Sequence, residues 1–392
     1  MTDAAATRDP LALTEEERAV RDTVRDWATK EVAPGAAERD EQERYDRHLF
    51  EQAGELGLAG LPYPERYGGA GMGTFAWALA VEEIAAADMA LAVSLSVHVL
   101  AQLCIVANGT DEQKDRFLPP MTAGRELGAF ALTEPQAGSD AGSIALAARR
   151  DGDAYMLSGT KIWITNAGEA DRFVVFATVD RSRGKNGITA FVVDRETPGF
   201  RLGSKEKKMG IRGSSAHELV FEDARVPAEN RLGEEGKGLR VALSALGAGR
   251  ISIAAACVGL ARNAMELAAA YALQRRQFGR AISEQEMIQA MLAEMAVQVD
   301  AARLLTWRAA RLRDAGQPIN APSSMAKWYA SDVAMKVTTD AVQVYGGAGY
   351  SRDNPVERLM RDAKGAQIYE GTNQIHRLIV AQQLLDTVGH DR

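Results

Sequence analysis

The sequence predicts an α+β protein of several domains, with an N-terminal helical domain, a middle β domain and a C-terminal four-helix bundle. The chain has 392 residues, which is more than one ordinary hydrophobic core holds. Its apolar residues follow a helical period in the first third, alternate with polar residues in the middle, and return to the helical period from Leu239. The domains are predicted at residues 1–125, 126–236 and 237–392.

Capping and turn residues set the helices of the first domain. Thr14, followed by three glutamates, is an N-cap with acids in the first turn, and Pro34-Gly35 ends this helix near Val32. Proline and glycine break the pattern again over residues 61–73. Further helices are predicted at about 46–57, 74–87, 90–108 and 111–123.

Residues 84–107 are apolar over a length that could span a membrane. Asp88, His98 and Gln102 interrupt the segment, so the prediction is a helix buried within the helical domain. His98 has two interpretations, either a hydrogen-bonded core histidine or a residue that lines a pocket.

The middle region contains short β-branched and aromatic runs separated by glycine-rich turns, which indicates a barrel or compact sandwich. The clearest strands are predicted at 161–166, 172–179, 188–194 and 218–227. The last region has four long helical segments, two of them at about 321–345 and 365–387, which indicates a bundle. One apolar face of the second segment is formed by Ile288, Met291, Leu292, Met295, Val299 and Ala302.

Composition excludes several classes of protein. A net charge of −7 argues against nucleic acid or an anionic membrane surface as the main partner. The two cysteines, Cys104 and Cys257, lie far apart and no CxxC or HExxH motif occurs, so neither a disulfide framework nor a metal site is predicted. The N-terminal residues MTDAAATRDP do not have the pattern of a signal peptide, so a cytoplasmic protein is the default expectation.

Three glycine-rich stretches could contact phosphate, namely GGAGMG at 68–73, YGGAGY at 345–350 and TEPQAGSD at 133–140. The first two do not follow a strand within a βαβ unit, which excludes a Rossmann fingerprint. A different signal is Glu370 in QIYEGTNQIH, a single carboxylate with apolar neighbours and a following Gly-Thr pair. It is either one half of a buried ion pair or a functional acid.

Seven motifs, in order along the chain, resemble those of the acyl-CoA dehydrogenase family of flavoproteins over nearly the full length. Short-chain and short-branched members are the most similar. The motifs are PERYGGAGM (64–72), FALTEPQAGSDAG (130–142), GTKIWITNAG (159–168), KMGIRGSSAHELVFEDARVP (208–227), QRRQFG (274–279), AVQVYGGAGY (341–350) and RLMRDAKGAQIYEGTNQIHRLIVA (358–381).

The resemblance implies that Glu370 is the base that removes the α-proton of an acyl-CoA thioester while a hydride passes from the β-carbon to FAD. Burial between apolar walls disfavours the charged carboxylate and strengthens it as a base. The N–H of Glu370 would donate to the thioester oxygen, and Gly371 would let the backbone approach the ligand. Substrate contacts are implied for Ser139, Arg250, Tyr369 and Gly371.

The resemblance also implies the contacts to FAD. Thr133 matches a donor to the flavin ring edge, Trp163 the indole that covers the flavin, and Thr165 the hydroxyl near N5. Neighbouring positions in these motifs are predicted at the cofactor as well: Phe130, Leu132, Gly138, Ser139 and Ile164. A second set would reach FAD across a subunit boundary or lie beside it, and implies a homo-oligomer, usually a tetramer in the family: Arg275, Phe278, Gln343, Val344, Gly346, Gly347, Thr372 and Gln374.

Three departures from the family pattern matter. Some members carry their base immediately before the arginine that Arg250 matches, but this position is Gly249 here, which leaves Glu370 as the base. Gly247 stands where many relatives have an aspartate that contacts CoA. Glu286 stands where relatives place a glutamine near FAD; it could be protonated, turn to solvent, or pair with Arg275, Arg276 or Arg280, and pairing is the favoured expectation.

Substrate and acceptor follow from the same comparison. Helix 90–108 is expected to line the acyl pocket and holds no arginine, which disfavours a dicarboxylyl substrate. A short or short-branched acyl-CoA is therefore predicted, with electrons passed to an electron-transferring flavoprotein near Trp163. An acyl-CoA oxidase that uses O₂ and a catalytically silent member of the fold are the alternatives.

Overall fold

The computed structural model describes residues 12–390. The stretch MTDAAATRDP, for which no signal peptide is predicted, lies outside the described residues. The first region holds six helices in the described part of the chain. They are α1 (Glu15–Trp27, extended by a π turn to Val32), α2 (Ala36–Glu41), α3 (Arg47–Glu55), α4 (Gly73–Ala87), α5 (Met89–Asn108) and α6 (Asp111–Thr122).

Local sequence explains where these helices begin. The Thr14 hydroxyl accepts from the Glu17 N–H while the Glu17 carboxylate accepts from the Thr14 N–H, which forms a capping box at α1. Asp88 separates α4 from α5, because its carboxylate accepts from the N–H groups of Ala90 and Leu91 and also pairs with Arg39 at 2.8 Å.

The prediction that residues 84–107 form part of a helical core is confirmed. By length and composition α5 could cross a membrane, as could the later helix at Gly238–Gln274, but 89% and 78% of their apolar windows are buried inside the protein. His98 on α5 is a hydrogen-bonded core histidine: its Nδ1 accepts from the Gly128 N–H at 2.9 Å, which leaves Nε2 to donate to the Met121 carbonyl at 3.1 Å. Burial lowers its pKa to about 3.

The middle region forms one mixed sheet, and the prediction of a β domain here is confirmed. Strand order is β6-β7-β3-β2-β4-β5-β8, with β1 paired in parallel to β4. Strands β4 and β5 are buried along almost their whole length, because helices cover one face and a second apolar cluster fills the other. The strands are β1 (Gly128–Ala131), β2 (Ala147–Asp151), β3 (Ala154–Thr165), β4 (Arg172–Thr178), β5 (Ile188–Asp194), β6 (Phe200–Lys205), β7 (Ala216–Pro227) and β8 (Arg231–Leu232).

The third region is a helical bundle, as predicted. Its elements are α7 (Gly238–Gln274), the hairpin β9 (Arg276–Gln277) and β10 (Arg280–Ala281), α8 (Glu286–Asp314), α9 (Asn320–Tyr345), α10 (Val356–Ala366) and α11 (Asn373–His390). The prediction of one helix over 365–387 is wrong, because α10 ends and α11 begins on either side of a turn. Glu370 and Gly371 in this turn have φ values of 53° and 95°, which a right-handed helix does not contain.

Helices of the first and third regions share one core. A Cβ on Gly259 of α7 would lie 2.0 Å from the Glu82 carbonyl of α4, so glycine is needed where these two helices cross. Buried Glu82 and Glu83 of α4 pair with Arg303 of α8 at 3.0 Å and with Arg262 of α7 at 2.7 Å. The predicted boundaries after residues 125 and 236 fall between elements, but division into three domains stays a prediction.

Candidate active site

Glu370 lies at the tip of the turn between α10 and α11, in a backbone conformation that is strained for a residue with a side chain. The Asn373 N–H donates to the Gln367 carbonyl at 3.1 Å and closes the turn. On the outer side, the Lys327 ammonium of α9 donates to the Gly371 carbonyl at 2.7 Å. The turn therefore presents Glu370 from a fixed support, although its backbone is strained.

The Glu370 carboxylate is buried and unpaired. Residue Glu370 is partly exposed as a whole, yet both carboxylate oxygens are buried and accept no hydrogen bond from the described residues. Burial raises the pKa of Glu370 to about 7, and the nearby positive charges of Lys327 and Arg250 act in the opposite direction. The side chain can therefore hold or take up a proton near neutral pH.

Helix α7 approaches Glu370 where it has no side chain. A Cβ built on Gly249 would lie 2.8 Å from Glu370 Oε2 and 2.9 Å from Oε1. The next residue, Arg250, is buried and donates to the Ser324 hydroxyl at 3.1 Å and to Asn320 Oδ1 at 3.3 Å. It forms no ion pair within the described chain, so its charge acts on Glu370 through space.

The other side of the turn is closed by residues that the family resemblance did not single out. The buried ring of His376 packs beneath Gly371, where a Cβ would lie 3.1 Å from its Cε1 atom. Burial lowers the His376 pKa to about 3, so the ring is neutral at physiological pH. The buried Tyr369 hydroxyl, like both His376 nitrogens, has no hydrogen-bond partner among the described residues.

A cavity of about 790 Å³ opens beside the N-terminal half of α7. Gly247, two residues before Gly249, lies on its wall, and a Cβ there would meet only Ile319 Cδ1, at 3.9 Å. Four cations line the cavity, together with neutral residues: Lys185, Lys237, Arg240 and Arg313. This rim suits an anionic ligand that extends toward α7 and Glu370.

The first set of predicted flavin residues is brought together by β3 and the loop after β1. The Ile162 N–H donates to the Thr133 carbonyl at 3.0 Å, and the Lys161 ammonium donates to the Leu132 carbonyl at 2.9 Å. Trp163 on the same strand has φ 60° and stays 53% exposed. Ile164 is buried, Thr165 and Phe130 are partly exposed, and Gly138 and Ser139 lie exposed on the loop.

Glu134, in the same loop, forms a buried ion pair with Lys161 at 2.7 Å. The carboxylate also accepts from the N–H groups of Ala145 and Leu146. Burial on its own raises the Glu134 pKa, but the lysine and the N–H donors outweigh burial and lower it overall. The pair joins the Thr133 loop to the strand of Trp163 and so orients both.

The second set lies on outward-facing ends of the bundle. Phe278 and Gly279 form the two-residue loop of the β9–β10 hairpin, both with positive φ, and Phe278 is 95% exposed. Arg275, Gln343, Gly346, Gly347 and Gln374 are exposed, Thr372 is partly exposed and Val344 is buried. Within residues 12–390, no hydrogen bond joins this set to the first.

Glu286 does not form the favoured ion pair. It is the exposed first residue of α8, and none of Arg275, Arg276 and Arg280 pairs with it within the described chain. Arg280 instead donates to Gln285 at 2.9 Å. The side chain turns to solvent, which was the third of the alternatives.

Sequence reasoning missed three supports of the site: Lys327 with its α9 neighbours, the Glu134–Lys161 pair, and the contact of Gly249 with the base. Lys327 could have been found as a single cation in the small, weakly polar run SSMAKWYAS. Its depth, and the turn it contacts, depend on how α9 packs against a segment 44 residues later.

The residues present fit a flavin. An exposed indole held in a left-handed conformation lies beside the hydroxyl-bearing Thr133 and Thr165, and Cβ atoms on Gly138, Gly346 and Gly347 would meet nothing within 4 Å. Aromatic cover, hydroxyl donors and open backbone are what an isoalloxazine with a pyrophosphate needs. Fold and site together define an enzyme with a buried carboxylate base and room for a bulky redox cofactor.

Comparison with known proteins gives the family. Residues 14–125, 129–224 and 236–385 match the N-terminal, middle and C-terminal domain models of acyl-CoA dehydrogenase. The chain is 47% identical over 376 residues to an acyl-CoA dehydrogenase of Bacillus subtilis, covering 96% of this chain and 99% of the relative. It is 45% identical over 373 residues to a short-chain specific acyl-CoA dehydrogenase of Clostridium acetobutylicum, covering 95% and 98%.

Solved structures agree. Butyryl-CoA dehydrogenase from Megasphaera elsdenii superposes with a TM-score of 0.94 at 45% identity, covering 95% of this chain and 99% of the other. A chain from a structure described as the electron transferring flavoprotein of Acidaminococcus fermentans superposes with a TM-score of 0.95 at 46% identity, covering 96% and 99%. The chain belongs to the acyl-CoA dehydrogenase family. It is an FAD-dependent oxidoreductase, as the resemblance predicted.

Proposed function

We propose that the enzyme converts a short or short-branched acyl-CoA thioester to the trans-2-enoyl-CoA, with Glu370 as the base that takes the α-proton. The observation that carries this proposal is the Glu370 carboxylate, whose two oxygens are buried and accept no hydrogen bond from the described residues. A carboxylate so poorly solvated is a stronger base than one in water. Bound FAD supplies the acceptor for the hydride.

The turn also supplies a donor for the thioester. Within residues 12–390 the Glu370 N–H donates to no protein acceptor, and in the proposed complex it hydrogen-bonds the thioester oxygen. Such an aimed donor stabilises the negative charge that develops as the proton leaves, by about 3 kcal/mol in comparable oxyanion sites. Gly371, which has no side chain, leaves the approach to this N–H open.

The cationic cavity supports a CoA thioester as the ligand. Lys185, Lys237, Arg240 and Arg313 match the phosphates of CoA in charge, and Gly247 leads from the cavity toward Gly249 and Glu370. At the other end, α5 has no arginine or lysine over Met89–Asn108, so a second carboxylate on the acyl chain would have no partner there. Relatives named short-chain specific and butyryl-CoA dehydrogenase support the same chain length.

The FAD contacts belong to the proposal as well. Thr133, Trp163 and Thr165 hold the flavin ring, with Phe130, Leu132, Gly138, Ser139 and Ile164 beside them. The outward-facing second set meets FAD across a subunit boundary: Arg275, Phe278, Gln343, Val344, Gly346, Gly347, Thr372 and Gln374. Ser139, Arg250, Tyr369 and Gly371 contact the substrate.

We further propose a cytoplasmic homotetramer that passes electrons to an electron-transferring flavoprotein, without a role at membranes or nucleic acid. Helices α8 and α11 carry large apolar side chains that are 63–77% exposed in a single chain, which is typical of surfaces buried between subunits. They include Met287, Val297, Leu378, Leu384 and Leu385. The Acidaminococcus structure supports the acceptor.

Anaerobic bleaching of the flavin by a panel of acyl-CoA esters tests this function. Butyryl-CoA and short-branched esters should bleach the purified holoenzyme and give a higher kcat/KM than palmitoyl-CoA or glutaryl-CoA. Neighbouring chain lengths will overlap, since one methylene is worth only about 1–3 kcal/mol. An optimum at long chains, or fast reoxidation by O₂ in place of an electron-transferring flavoprotein, would contradict the proposal.

A further inference from the structure

The turn that carries Glu370 is held from one side by a polar cluster on α9. Lys327, Ser331 and Asp332 occupy successive turns of the helix. Lys327 Nζ donates to the Gly371 carbonyl at 2.7 Å and to Asn373 Oδ1 at 3.2 Å, and the Asn373 amide donates to Ser331 Oγ at 2.9 Å and to Asp332 Oδ1 at 2.8 Å. Gln367, at the start of the turn, donates to the same Asp332 oxygen at 2.6 Å. Both ends of the turn are thus fixed to one helix.

Lys327 is unusual within this cluster because it is a charged group with no exposed surface. It forms no ion pair within residues 12–390, and its hydrogen-bond partners are a backbone carbonyl and an amide oxygen. Burial of an ammonium without a carboxylate partner is unfavourable by several kcal/mol. A lysine retained at this depth therefore needs a reason beyond packing.

The unpaired carboxylate of Glu370 supplies that reason. Two buried groups of opposite charge, Lys327 on α9 and Glu370 on the adjacent turn, each lack a direct partner and act on each other through the protein interior. The Gly371 carbonyl that Lys327 contacts belongs to the residue directly after Glu370. One ammonium therefore touches the strained backbone and lies within electrostatic reach of the carboxylate.

We propose that Lys327 is a positioning residue for the base: its ammonium anchors the Gly371 carbonyl, which keeps Glu370 in its left-handed conformation, and its positive charge keeps the Glu370 carboxylate ionised without contacting it. A direct ion pair would neutralise the base and occupy its lone pairs. A cation held one residue away stabilises the charge and leaves both oxygens free for the substrate. This inference rests on the proposed role of Glu370.

Other charged and titratable groups around the turn do not replace Lys327. Arg250 on α7 acts on Glu370 from the opposite helix, and His376 on α11 is neutral because burial lowers its pKa to about 3. Burial raises the pKa of Cys257 on α7 to about 12, and that of Tyr369 is raised well above its usual range by the same cause. Asp332 faces Lys327 from the next turn of α9.

Asp362 on α10 needs separate attention because burial raises its pKa to about 7, in the range where Glu370 titrates. The charges that act on Asp362 are those of Arg358, Asp40 and Asp88, and Lys327 is not among them. A change at Lys327 should therefore move the titration of Glu370 and leave that of Asp362 in place.

The test is the pH profile of kcat/KM for butyryl-CoA in wild type, Lys327→Met and Ser331→Ala holoenzymes. Methionine keeps the shape of the lysine stem without charge or donor, and Lys327→Met should move the midpoint of the profile upward by about one pH unit or more. Ser331→Ala is the matched control: it removes a hydrogen bond to Asn373 but no charge, so it should leave the midpoint within about 0.3 units of wild type, a margin well below the shift that a neighbouring charge causes.

Each result decides the question. A lower rate with an unmoved midpoint in Lys327→Met would overturn the proposal, because a merely structural lysine has that effect. Lys327→Met should fold, since Glu370 can take up a proton when the cation is removed; Lys327→Gln, which keeps a donor for the turn, is the second variant and should show the same upward shift. If neither variant yields FAD-containing protein while Ser331→Ala does, Lys327 is a structural requirement and the proposal is overturned. Activity that persists in Glu370→Gln would instead overturn the proposed function.

Discussion

A methyl group placed on Gly249 would lie 2.8 Å from Oε2 of Glu370, closer than nonbonded carbon and oxygen atoms approach. Helix α7 therefore leaves a gap in its side-chain surface that the carboxylate fills. Glu370 in turn reaches this gap only because its own backbone takes a left-handed conformation. The base and the glycine that admits it lie 121 positions apart in the chain.

Gly249→Ala should therefore displace the base. An added methyl must push the carboxylate aside by several tenths of an ångström or more, and misplacement of a reacting group by about 1 Å can lower the rate by about 10²-fold. We expect kcat to fall by about that factor with FAD content unchanged, as measured by steady-state assay and flavin absorbance. Gly247→Ala is the control on the same helix, because its methyl would meet only Ile319 Cδ1 at 3.9 Å. The control should keep kcat within about threefold, as a tolerated contact does not move the base, while KM changes since Gly247 lines the cavity; equal losses of kcat in the two variants would refute this account.

Glu370→Gln should abolish proton removal while the binding sites stay intact. Glutamine fills the same volume but cannot accept the α-proton, so kcat should fall by at least about three decades, the range expected when a general base is lost. Flavin content and the spectral change on binding a substrate analogue should match wild type. A variant that keeps more than about a tenth of wild-type activity, far above what loss of a base permits, would show that another group is the base.

The pH dependence of the reaction should follow the raised pKa of Glu370. The base works when ionised, so kcat/KM should fall about tenfold per unit as the pH drops below about 7 and level off above it. Neither His98 nor His376 can account for such a transition, since burial lowers both pKa values to about 3. A midpoint near 4.5, the ordinary value of a glutamate, would show that the carboxylate is solvated in the free enzyme.

The same raised pKa has a consequence for stability. The folded protein prefers the protonated form of Glu370, so the contribution of this residue is most favourable below its ordinary value of 4.5 and is lost as the pH rises from there to about 7. Glutamine cannot ionise. The melting temperature of ligand-free Glu370→Gln should therefore gain on that of wild type between pH 5 and pH 7, and a difference that stays constant over this range would contradict the assignment.

Lys161 and Glu134 should act as one unit in flavin binding and stability. Lys161→Met leaves a buried carboxylate without its cation, a change that typically lowers stability by about 3–5 kcal/mol. It also frees the Thr133 loop from the strand of Trp163, so FAD should dissociate more readily. Urea denaturation of the holoenzyme and FAD release by fluorescence measure both effects.

An exposed pair in the same sheet gives the control for this prediction. Arg201 pairs with Glu222 at 3.1 Å between β6 and β7, with more than half of each side chain exposed. Arg201→Met should change stability by less than about 1 kcal/mol, as is usual for surface ion pairs, and should not affect FAD release. Similar losses in the two variants would mean that burial does not distinguish the pairs.

The sequence by itself determined the three regions and the identity of the family, because both depend on local information. Capping residues, the change from helical to alternating period and seven motifs in order are all read along the chain, and Thr14, the strands at 172–178 and 188–194, and the helix at 320–345 lie where local pattern indicates. The carboxylate of Glu370 was also evident, since a single acid among apolar neighbours is a local feature.

Only the tertiary structure decided how that carboxylate is used. The break between α10 and α11 at Glu370 contradicts the local helical pattern, because hydrogen bonds from Lys327 and Asn373, not local preference, hold the turn open. The gap at Gly249, the buried charge of Lys327 and the exposure of Glu286 likewise depend on residues distant in sequence. Burial and long-range charge set the pKa of Glu370, and neither is a property of the residues beside it in the chain.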